Sequence, residues 1–144
     1  MSQQQQAICQ TMNTEQQTVI DFFSIYTSRA YEKIPSVIDA NYRDNSPAQA
    51  RGPGDVVEIL KMVSAIFPDL SYTILDMFSD HDRVATRIRF TGTHSDTYID
   101  APASGNVITW EALENFSVKN GKIVESWGYW PDYDMLRQMK GNGE

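Results

Sequence analysis

A β-hairpin centred on Asn120-Gly121 constrains this chain more than any other feature of its sequence. Asn-Gly is the dipeptide that a two-residue type I′ turn prefers, so it predicts strands over 107–118 and 122–130. Because side chains alternate along a strand, pairing Lys119 with Lys122 predicts which residues share a face. That face is predicted to carry Ile108, Trp110, Ala112, Glu114, Phe116 and Val118 from the first strand, and Ile123, Glu125, Trp127 and Tyr129 from the second.

Glu114 interrupts this otherwise apolar face, and in the predicted register it lies opposite Trp127. A buried carboxylate must pair, take up a proton, or serve as an acid or base in an apolar pocket. Loss of water raises the pKa of a carboxyl group, and a base that abstracts a proton beside a carbonyl group needs a pKa near the working pH. The alternative is that a slipped register or a β-bulge turns Glu114 outward, or that it is an inward charge protecting an edge strand.

Length and composition narrow the class of protein. The 144 residues suit one domain with a sizeable core, and we expect a flexible Gln-rich tail over 1–13 and a single domain over 14–144. The net charge of −7 argues against nucleic acid and against an anionic membrane surface as partners. There is no signal-peptide pattern and no spanning apolar run, so we expect a cytoplasmic location. One cysteine, Cys9, and two histidines leave little for a metal site, and we expect no metal.

The periodicity of apolar residues changes midway along the chain. Asn13-Thr14 can cap a helix over about 14–29, in which an apolar stripe is formed by Val19, Phe22, Phe23 and Tyr26. Helical spacing also predicts helices over about 31–39 and 53–67, and turn-forming residues predict a loop over 41–54. Alternation then predicts strands over 71–78 and 83–94 before the hairpin, and a short helix follows over 133–139. Helices followed by an antiparallel sheet predict an α+β domain in which the helices cover one face of a curved sheet.

Several short segments, in this order and spacing, carry a family resemblance. They are Phe67-Pro68-Asp69, Asp82-Arg83-Val84, Gly92-Thr93-His94, the run Gly-Lys-Ile-Val-Glu-Ser-Trp over 121–127, and Leu136-Arg137-Gln138. From about Thr14 to Met139 the chain resembles the SnoaL-like polyketide cyclase, or ester cyclase, family of the nuclear transport factor 2-like superfamily. The resemblance implies a cone-shaped, cystatin-like fold, in which an antiparallel sheet curves around N-terminal helices and an internal pocket. It also implies a homodimer, or a tetramer of dimers, built through the sheet.

The resemblance also implies a chemistry. Such cyclases close a ring by intramolecular aldol condensation, with a carboxylate as base and without metal or organic cofactor. The family's acid/base aspartate lies shortly after the Gly-Lys-Ile-Val-Glu-x-Trp motif, where this chain has Gly128 or Pro131, and the nearest carboxylate is Asp132. The strand position of Glu114 commonly holds an acid or a histidine in the family. Asn45 stands where relatives often carry a histidine, and it offers a neutral hydrogen-bonding group instead.

The predicted site combines three catalytic residues with an aromatic wall. Glu114 and Asp132 are candidates for paired roles as base and proton donor, although Asp132 also fits the N-cap of the helix at Tyr133. His94 either hydrogen-bonds a substrate oxygen or caps the end of its strand. The predicted substrate-binding residues are Tyr42, Asn45, Trp110, Phe116, Trp127 and Tyr129. Trp130 has the opposite parity to Trp127, so we expect it in the outer packing.

Three functions are consistent with these residues. The leading hypothesis is a cofactor-independent lyase or isomerase, an aldol-type cyclase acting on a small hydrophobic carbonyl or polyketide-like compound. The first alternative is a non-catalytic protein that binds a hydrophobic small molecule, since aromatic walls suit a ligand, a core or a dimer interface equally. The second alternative is an epoxide hydrolase or dehydratase of the same superfamily, for which Asp76 and Arg87 would supply part of a water-activating cluster. Asp76 and Arg87 also fit a structural ion pair.

Overall fold

The computed structural model describes residues 13–141 as four helices and five strands. In chain order they are α1 (Thr14–Ser28), a 3-10 turn (Tyr31–Lys33), α2 (Ile34–Val37), β1 (Ile38–Asp44), α3 (Gly52–Ile66), β2 (Ser71–Asp80), β3 (Arg83–Thr93), β4 (Val107–Lys119), β5 (Lys122–Tyr129) and α4 (Asp132–Met139). The predicted tail over 1–13 lies outside the described residues, except for Asn13, and Cys9 lies outside them too. No helix within 13–141 is long and apolar enough to cross a membrane.

Helix α1 begins at a capping box and packs into the concave face of the sheet. The Asn13 side chain accepts a hydrogen bond from the Gln16 backbone N–H at 2.8 Å, which satisfies one of the free amides at the helix start. Phe22 and Phe23 are buried, and their ring centroids lie 6.0 and 5.6 Å from that of Phe116 on β4. The apolar stripe predicted from helical spacing therefore forms the contact between helix and sheet.

The five strands form one curved sheet in the order β1-β5-β4-β3-β2. Neighbouring strands are antiparallel except for β1, which runs parallel to β5. The predicted α+β class, with helices on one face of a curved sheet, is confirmed. Strand β1 was not predicted, because the sequence pattern indicated helix up to residue 39 and loop from residue 41. Buried Ile38, Tyr42 and Asp44 give β1 only a weak alternation, which explains why the pattern was missed.

Two of the short segments that carry the family resemblance contact each other. A Cβ placed on Gly92 of β3 would lie 2.8 Å from the Phe67 Cβ, so only glycine lets the end of α3 approach the sheet this closely. Asp69 accepts hydrogen bonds from the backbone N–H and the hydroxyl of Thr93, at 2.7 and 2.6 Å. The two segments thus fix the end of α3 to the end of β3.

A β-bulge corrects the predicted register of the hairpin. Val118 pairs with Ile123, whereas Ser117 pairs with Glu125, so β5 carries one extra residue. An extra residue reverses the alternation of every residue beyond it. The carboxyl-terminal part of β5 therefore presents the residues of opposite parity to the inner face.

The reversal changes which residues surround Glu114. Gly128, not Trp127, pairs with Glu114, and Trp127 pairs with the exposed Asn115. The indole of Trp127 lies on the outer face, where the Arg83 guanidinium stacks on it at 4.4 Å. The prediction that Glu125 and Trp127 share the face of Glu114 is therefore wrong. Tyr129 pairs with the exposed Leu113 and reaches the cavity only at its opening.

A second irregularity in strand pairing lies between Ile74 and Asp76 of β2. It affects the water-activating cluster that the sequence predicted around Asp76 and Arg87. Asp76 pairs with Arg87 in the sheet as expected, but its side chain is exposed. The Arg87 guanidinium instead contacts Glu111 Oε1 at 3.1 Å on the outer face. Within residues 13–141 no ion pair joins Asp76 to Arg87, and this pair does not enter the interior as a water-activating cluster would have to.

Candidate functional site

A cavity of about 320 Å³ lies between the helices and the concave face of the sheet. Small-molecule sites typically have volumes of this order or larger. Buried polar side chains occupy its floor, whereas exposed Met62, Tyr129 and Asp132 mark its opening. The rest of the wall is mainly apolar and includes Phe22, Val56, Ile59, Leu60, Val63, Ile66, Phe67 and Phe116.

Glu114 lies at the floor of this cavity, as predicted. Regular alternation along β4 turns it inward, and only 8% of its surface is exposed. The Trp130 indole N–H donates a hydrogen bond to Glu114 Oε2 at 3.3 Å. Loss of water raises the pKa of Glu114 to about 7; the negative charge of Asp44 adds to this shift and the Trp130 hydrogen bond opposes it. The carboxyl group therefore changes its charge near neutral pH.

Gly128 makes room for this carboxyl group. A Cβ placed on Gly128 would lie 3.2 Å from both Cγ and Oε1 of Glu114. These contacts are tighter than ordinary van der Waals separations, so a side chain at position 128 would press on the carboxyl group. The glycine allows Glu114 to lie against the backbone of β5.

Residues of β1 and β5 form a second polar group beside Glu114. The Tyr42 hydroxyl lies 2.5 Å from Ser126 Oγ, and burial raises the pKa of the Tyr42 phenol far above its ordinary value. Asp44 accepts hydrogen bonds from the N–H and hydroxyl of Ser46, at 2.8 and 2.6 Å. All four of these side chains line the cavity, so its floor is rich in hydroxyl and carboxyl groups.

Asp132 lines the cavity opening. The Tyr98 hydroxyl donates a hydrogen bond to Asp132 Oδ1 at 2.5 Å, and burial together with this carboxylate raises the pKa of the Tyr98 phenol. The predicted alternative, in which Asp132 is the N-cap of the last helix, is wrong. Asp132 is the first residue of α4, and the N-cap is Pro131, which has no capping side chain.

His94 is fully buried but does not line the cavity. Its Nδ1 lies 2.8 Å from Ser104 Oγ and accepts the Ser104 backbone N–H at 3.2 Å. Its Nε2 has no hydrogen-bond partner among the described residues. The ring fixes the loop over 95–106 to the end of β3, which agrees with the strand-end alternative.

The predicted aromatic wall is partly present. Tyr42, Phe116 and Tyr129 line the cavity, whereas Trp110 is buried behind Trp130, with ring centroids 5.2 Å apart. Trp127 lies on the outer face, as described above. The Asn45 side chain donates to Glu125 Oε2 and to the Ser126 carbonyl, at 2.9 and 3.1 Å, so it connects β1 to β5 outside the cavity lining.

Sequence reasoning missed several aromatic residues of the site, among them Trp130, Tyr26 and Tyr98. Strand parity predicts outer packing for Trp130, but the bulge reverses that parity, and Trp130 lines the cavity together with Ser126 and Gly128. Helical spacing assigns Tyr26 to the apolar stripe of α1, where its ring does pack, but the residue also lines the cavity. A tyrosine on a buried helix stripe is itself a signal, because its hydroxyl group needs a polar environment.

Comparison with known proteins agrees with this architecture. The sequence model of the family described as SnoaL-like polyketide cyclase matches residues 16–139. No curated protein matches the sequence significantly.

Solved structures provide similar folds. TsrD from Streptomyces laurentii is 22% identical, with a TM-score of 0.80 over 88% of this chain and 94% of its own. IdmH from Streptomyces antibioticus is 24% identical, with a TM-score of 0.79 over 90% of this chain and 100% of its own. A SnoaL-like polyketide cyclase from Agrobacterium tumefaciens is 21% identical, with a TM-score of 0.78 over 89% of this chain and 99% of its own. With a family match over most of its length and the same fold, the chain belongs to the SnoaL-like polyketide cyclase family.

Proposed function

We propose that this protein is a cofactor-independent acid/base enzyme, an aldol-type cyclase that acts on a small hydrophobic carbonyl compound of polyketide type. The observation that carries the proposal is the buried Glu114 carboxyl group at the floor of an apolar cavity, with its pKa raised to about 7. A group with this pKa accepts and returns a proton readily at neutral pH, which general-base catalysis requires. Family membership supports the same class of reaction.

In the proposed reaction, the Glu114 carboxylate removes a proton from a carbon atom beside a carbonyl group. The resulting enolate forms a carbon–carbon bond to a second carbonyl carbon of the same molecule. The oxygen of that second carbonyl takes up a proton, and Glu114 returns to its carboxylate form. The product is an isomer of the substrate, so no oxidant, reductant or leaving group is needed. Asp132, at the cavity opening, is the proposed second acid/base group.

The pairing of Glu114 with Gly128 supports the choice of base. The family resemblance places an acid/base aspartate at Gly128 or Pro131, and neither position carries a carboxylate in this chain. The carboxyl group of Glu114 contacts the space that a side chain on Gly128 would occupy. We infer that in this chain Glu114, on the neighbouring strand β4, supplies the base instead.

The charges around the cavity limit the class of substrate. Asp44, Glu114 and Asp132 line it, and no lysine, arginine or histidine is among its lining residues within 13–141. A carboxylate or phosphate on the ligand would meet negative charge without a cation to pair with, and burial there would be unfavourable. The proposed substrate is therefore uncharged, such as a ketone or an ester rather than a free acid.

Exchange of carbonyl-adjacent hydrogens tests the proposal without knowledge of the natural substrate. β-Tetralone, a neutral bicyclic ketone, is incubated with the protein in D₂O, and the loss of its α-proton signals is followed by NMR. We expect Glu114→Gln to lower the protein-dependent exchange rate by about 100-fold, the usual size of a general-base contribution. Glu111→Gln is the matched control, because Glu111 lies on the outer face of the same strand. Equal exchange by both variants would refute the proposal.

The second candidate function is a protein that binds a hydrophobic small molecule without reaction. It is favoured by the largely apolar wall and by the Tyr98 hydroxyl, which already engages Asp132. Tight binding of β-tetralone, measured by calorimetry, with an exchange rate no higher than that of buffer would support this function and exclude the first.

We propose in addition that the protein forms a homodimer through the outer face of the sheet. Phe78 and Leu113 are exposed there, at 63% and 64%, although they are large and apolar. Sedimentation velocity of the wild type and of Leu113→Glu tests this assembly. A dimer that becomes a monomer in the variant supports it, and a monomeric wild type contradicts it.

A further inference from the structure

The Tyr26 hydroxyl group differs from the other polar groups of the cavity. Glu114, Tyr42 and Asp44 each have a hydrogen-bond partner within the protein. Tyr26 is also buried and also lines the cavity, yet none of the described residues forms a hydrogen bond with its hydroxyl group. Two fully enclosed side-chain polar atoms lack a partner among the described residues, His94 Nε2 and Trp110 Nε1, and the Tyr26 hydroxyl oxygen is not one of them. The hydroxyl group is therefore open to the cavity, where a bound molecule can accept its hydrogen bond.

Tyr26 is held in place and remains a donor. Its ring packs against Phe22 and Phe90, with centroid separations of 5.7 Å in both cases. Burial raises the pKa of the phenol well above its ordinary value, and the charges of Glu114 and Asp44 raise it further. The phenol thus keeps its proton through the whole pH range in which Glu114 titrates. Tyr26 and Glu114 both line the cavity.

We propose that Tyr26 donates a hydrogen bond to the carbonyl oxygen of the bound substrate and stabilises the enolate that forms when Glu114 removes a proton. This inference rests on the proposed function and adds a second catalytic residue to it. Tyr26 keeps its proton throughout, and its hydrogen bond strengthens as negative charge builds up on the substrate oxygen. Donors placed in this way accelerate such reactions because they are already oriented and shielded from water.

The infrared carbonyl stretch of bound β-tetralone, labelled with carbon-13 at its carbonyl carbon, tests the inference directly. A hydrogen bond to the oxygen lowers the stretching frequency. We expect a lowered frequency in the wild type and a return toward the value in an apolar solvent for Tyr26→Phe. The exchange rate of the same ketone should fall by about 100-fold in this variant. Tyr72→Phe is the matched control, because Tyr72 packs on the same aromatic cluster but does not line the cavity.

Tyr42→Phe separates the two tyrosines of the floor. The Tyr42 hydroxyl is paired with Ser126 Oγ, so we expect its removal to change the carbonyl frequency less than removal of the Tyr26 hydroxyl does. A frequency that changes in Tyr42→Phe but not in Tyr26→Phe would overturn the inference. An unchanged frequency in both variants, with the ketone bound, would overturn it as well. If Tyr26→Phe does not fold, 3,5-difluorotyrosine at position 26 replaces it, and its more acidic phenol should lower the frequency further.

The outcome for Tyr26 is distinguishable from that for the proposed function. A frequency shift in Tyr26→Phe together with full exchange by Glu114→Gln would support the hydrogen bond and refute the base. Lost exchange in Glu114→Gln with no frequency shift in Tyr26→Phe would support Glu114 as the base and refute the hydrogen bond from Tyr26. Failure of the wild type to bind β-tetralone would contradict both.

Discussion

The carboxyl group of Glu114 lies against the backbone of Gly128 on the paired strand, so closely that a Cβ on Gly128 would stand 3.2 Å from Glu114 Oε1. The β-bulge of the hairpin creates this relationship, because without it Trp127 would lie opposite Glu114. The glycine and the carboxyl group therefore form one structural unit, and each can be used to test the role of the other.

Gly128→Ala should lower activity more than stability. The added methyl group displaces the flexible end of Glu114 by a few tenths of an ångström and disturbs its hydrogen bond to Trp130. We expect the ketone exchange rate to fall by about 10-fold or more, since small misplacements of catalytic groups are costly. Thermal unfolding should show little change. A variant with unaltered exchange would mean that the position of this carboxyl group is unimportant for the reaction.

Moving the carboxylate between the two strands is a stricter test. Glu114→Ala combined with Gly128→Asp removes the carboxyl group from β4 and returns one to the same space from β5. We expect Glu114→Ala alone to be inactive and the double variant to recover part of the exchange rate. Equal rates for the single and double variants would argue against a shared position for the two carboxyl groups.

The raised pKa of Glu114 predicts how stability depends on pH. In the folded protein the pKa of Glu114 is about 7, whereas the ordinary pKa of this carboxyl group is 4.5. The folded state thus binds more protons between these values, and its stability falls as the pH rises through this window. Each unit of pKa difference corresponds to about 1.4 kcal/mol. The titration of Glu114 should therefore lower the free energy of unfolding by about 3 kcal/mol across this window.

Urea unfolding of the wild type and of Glu114→Gln at several pH values measures this loss. The difference between the two proteins isolates Glu114, since the other carboxyl groups are common to both. Between pH 4.5 and 7.5 the free energy of unfolding of the wild type should fall by about 3 kcal/mol relative to that of Glu114→Gln. A constant difference would contradict a raised pKa.

Trp130 should set the pH at which the base becomes active. Its indole N–H stabilises the charged form of Glu114, so Trp130→Phe removes a contribution that lowers the pKa. The midpoint of the pH–rate profile should move upward by about half to one unit, as expected for one hydrogen bond. Trp127→Phe is the control, because that indole lies on the outer face against Arg83. A profile that shifts in the control and not in Trp130→Phe would contradict this role.

His94 should affect stability and not catalysis. His94→Ala leaves a buried space and removes the acceptor of the Ser104 N–H, at an expected cost of about 2 to 4 kcal/mol in unfolding free energy. Exchange by the folded variant should be unchanged. His81→Ala is the control, because the His81 side chain is 91% exposed. A stable but inactive His94→Ala protein would restore the catalytic role that the sequence suggested.

The sequence predicted the architecture well because it rests on strong periodic patterns. The helix cap at Asn13, the apolar stripe of α1 and the Asn120-Gly121 turn act locally, and each is found where expected. The inward position of Glu114 was predicted for the same reason, since β4 alternates without interruption along its central part.

The surroundings of Glu114 could not be predicted in the same way. The bulge between Ser117 and Val118 leaves no signal in residue type, yet it exchanges Trp127 for Gly128 opposite Glu114. The same reversal brings Trp130 to the cavity, whereas Tyr98 lies in the loop after β3, where strand alternation predicts nothing. Contacts such as that between Tyr98 and Asp132 depend on tertiary packing, which parity does not describe.

The titration of Glu114 itself tests the central claim most directly. Infrared spectroscopy resolves the stretch of a protonated carboxyl group, and the difference between the wild type and Glu114→Gln assigns it to this residue. We predict a band of a buried, protonated carboxyl group that disappears with a midpoint near pH 7. Its disappearance near pH 4.5, the ordinary value for glutamate, would mean that Glu114 is solvated and would contradict its role as the base.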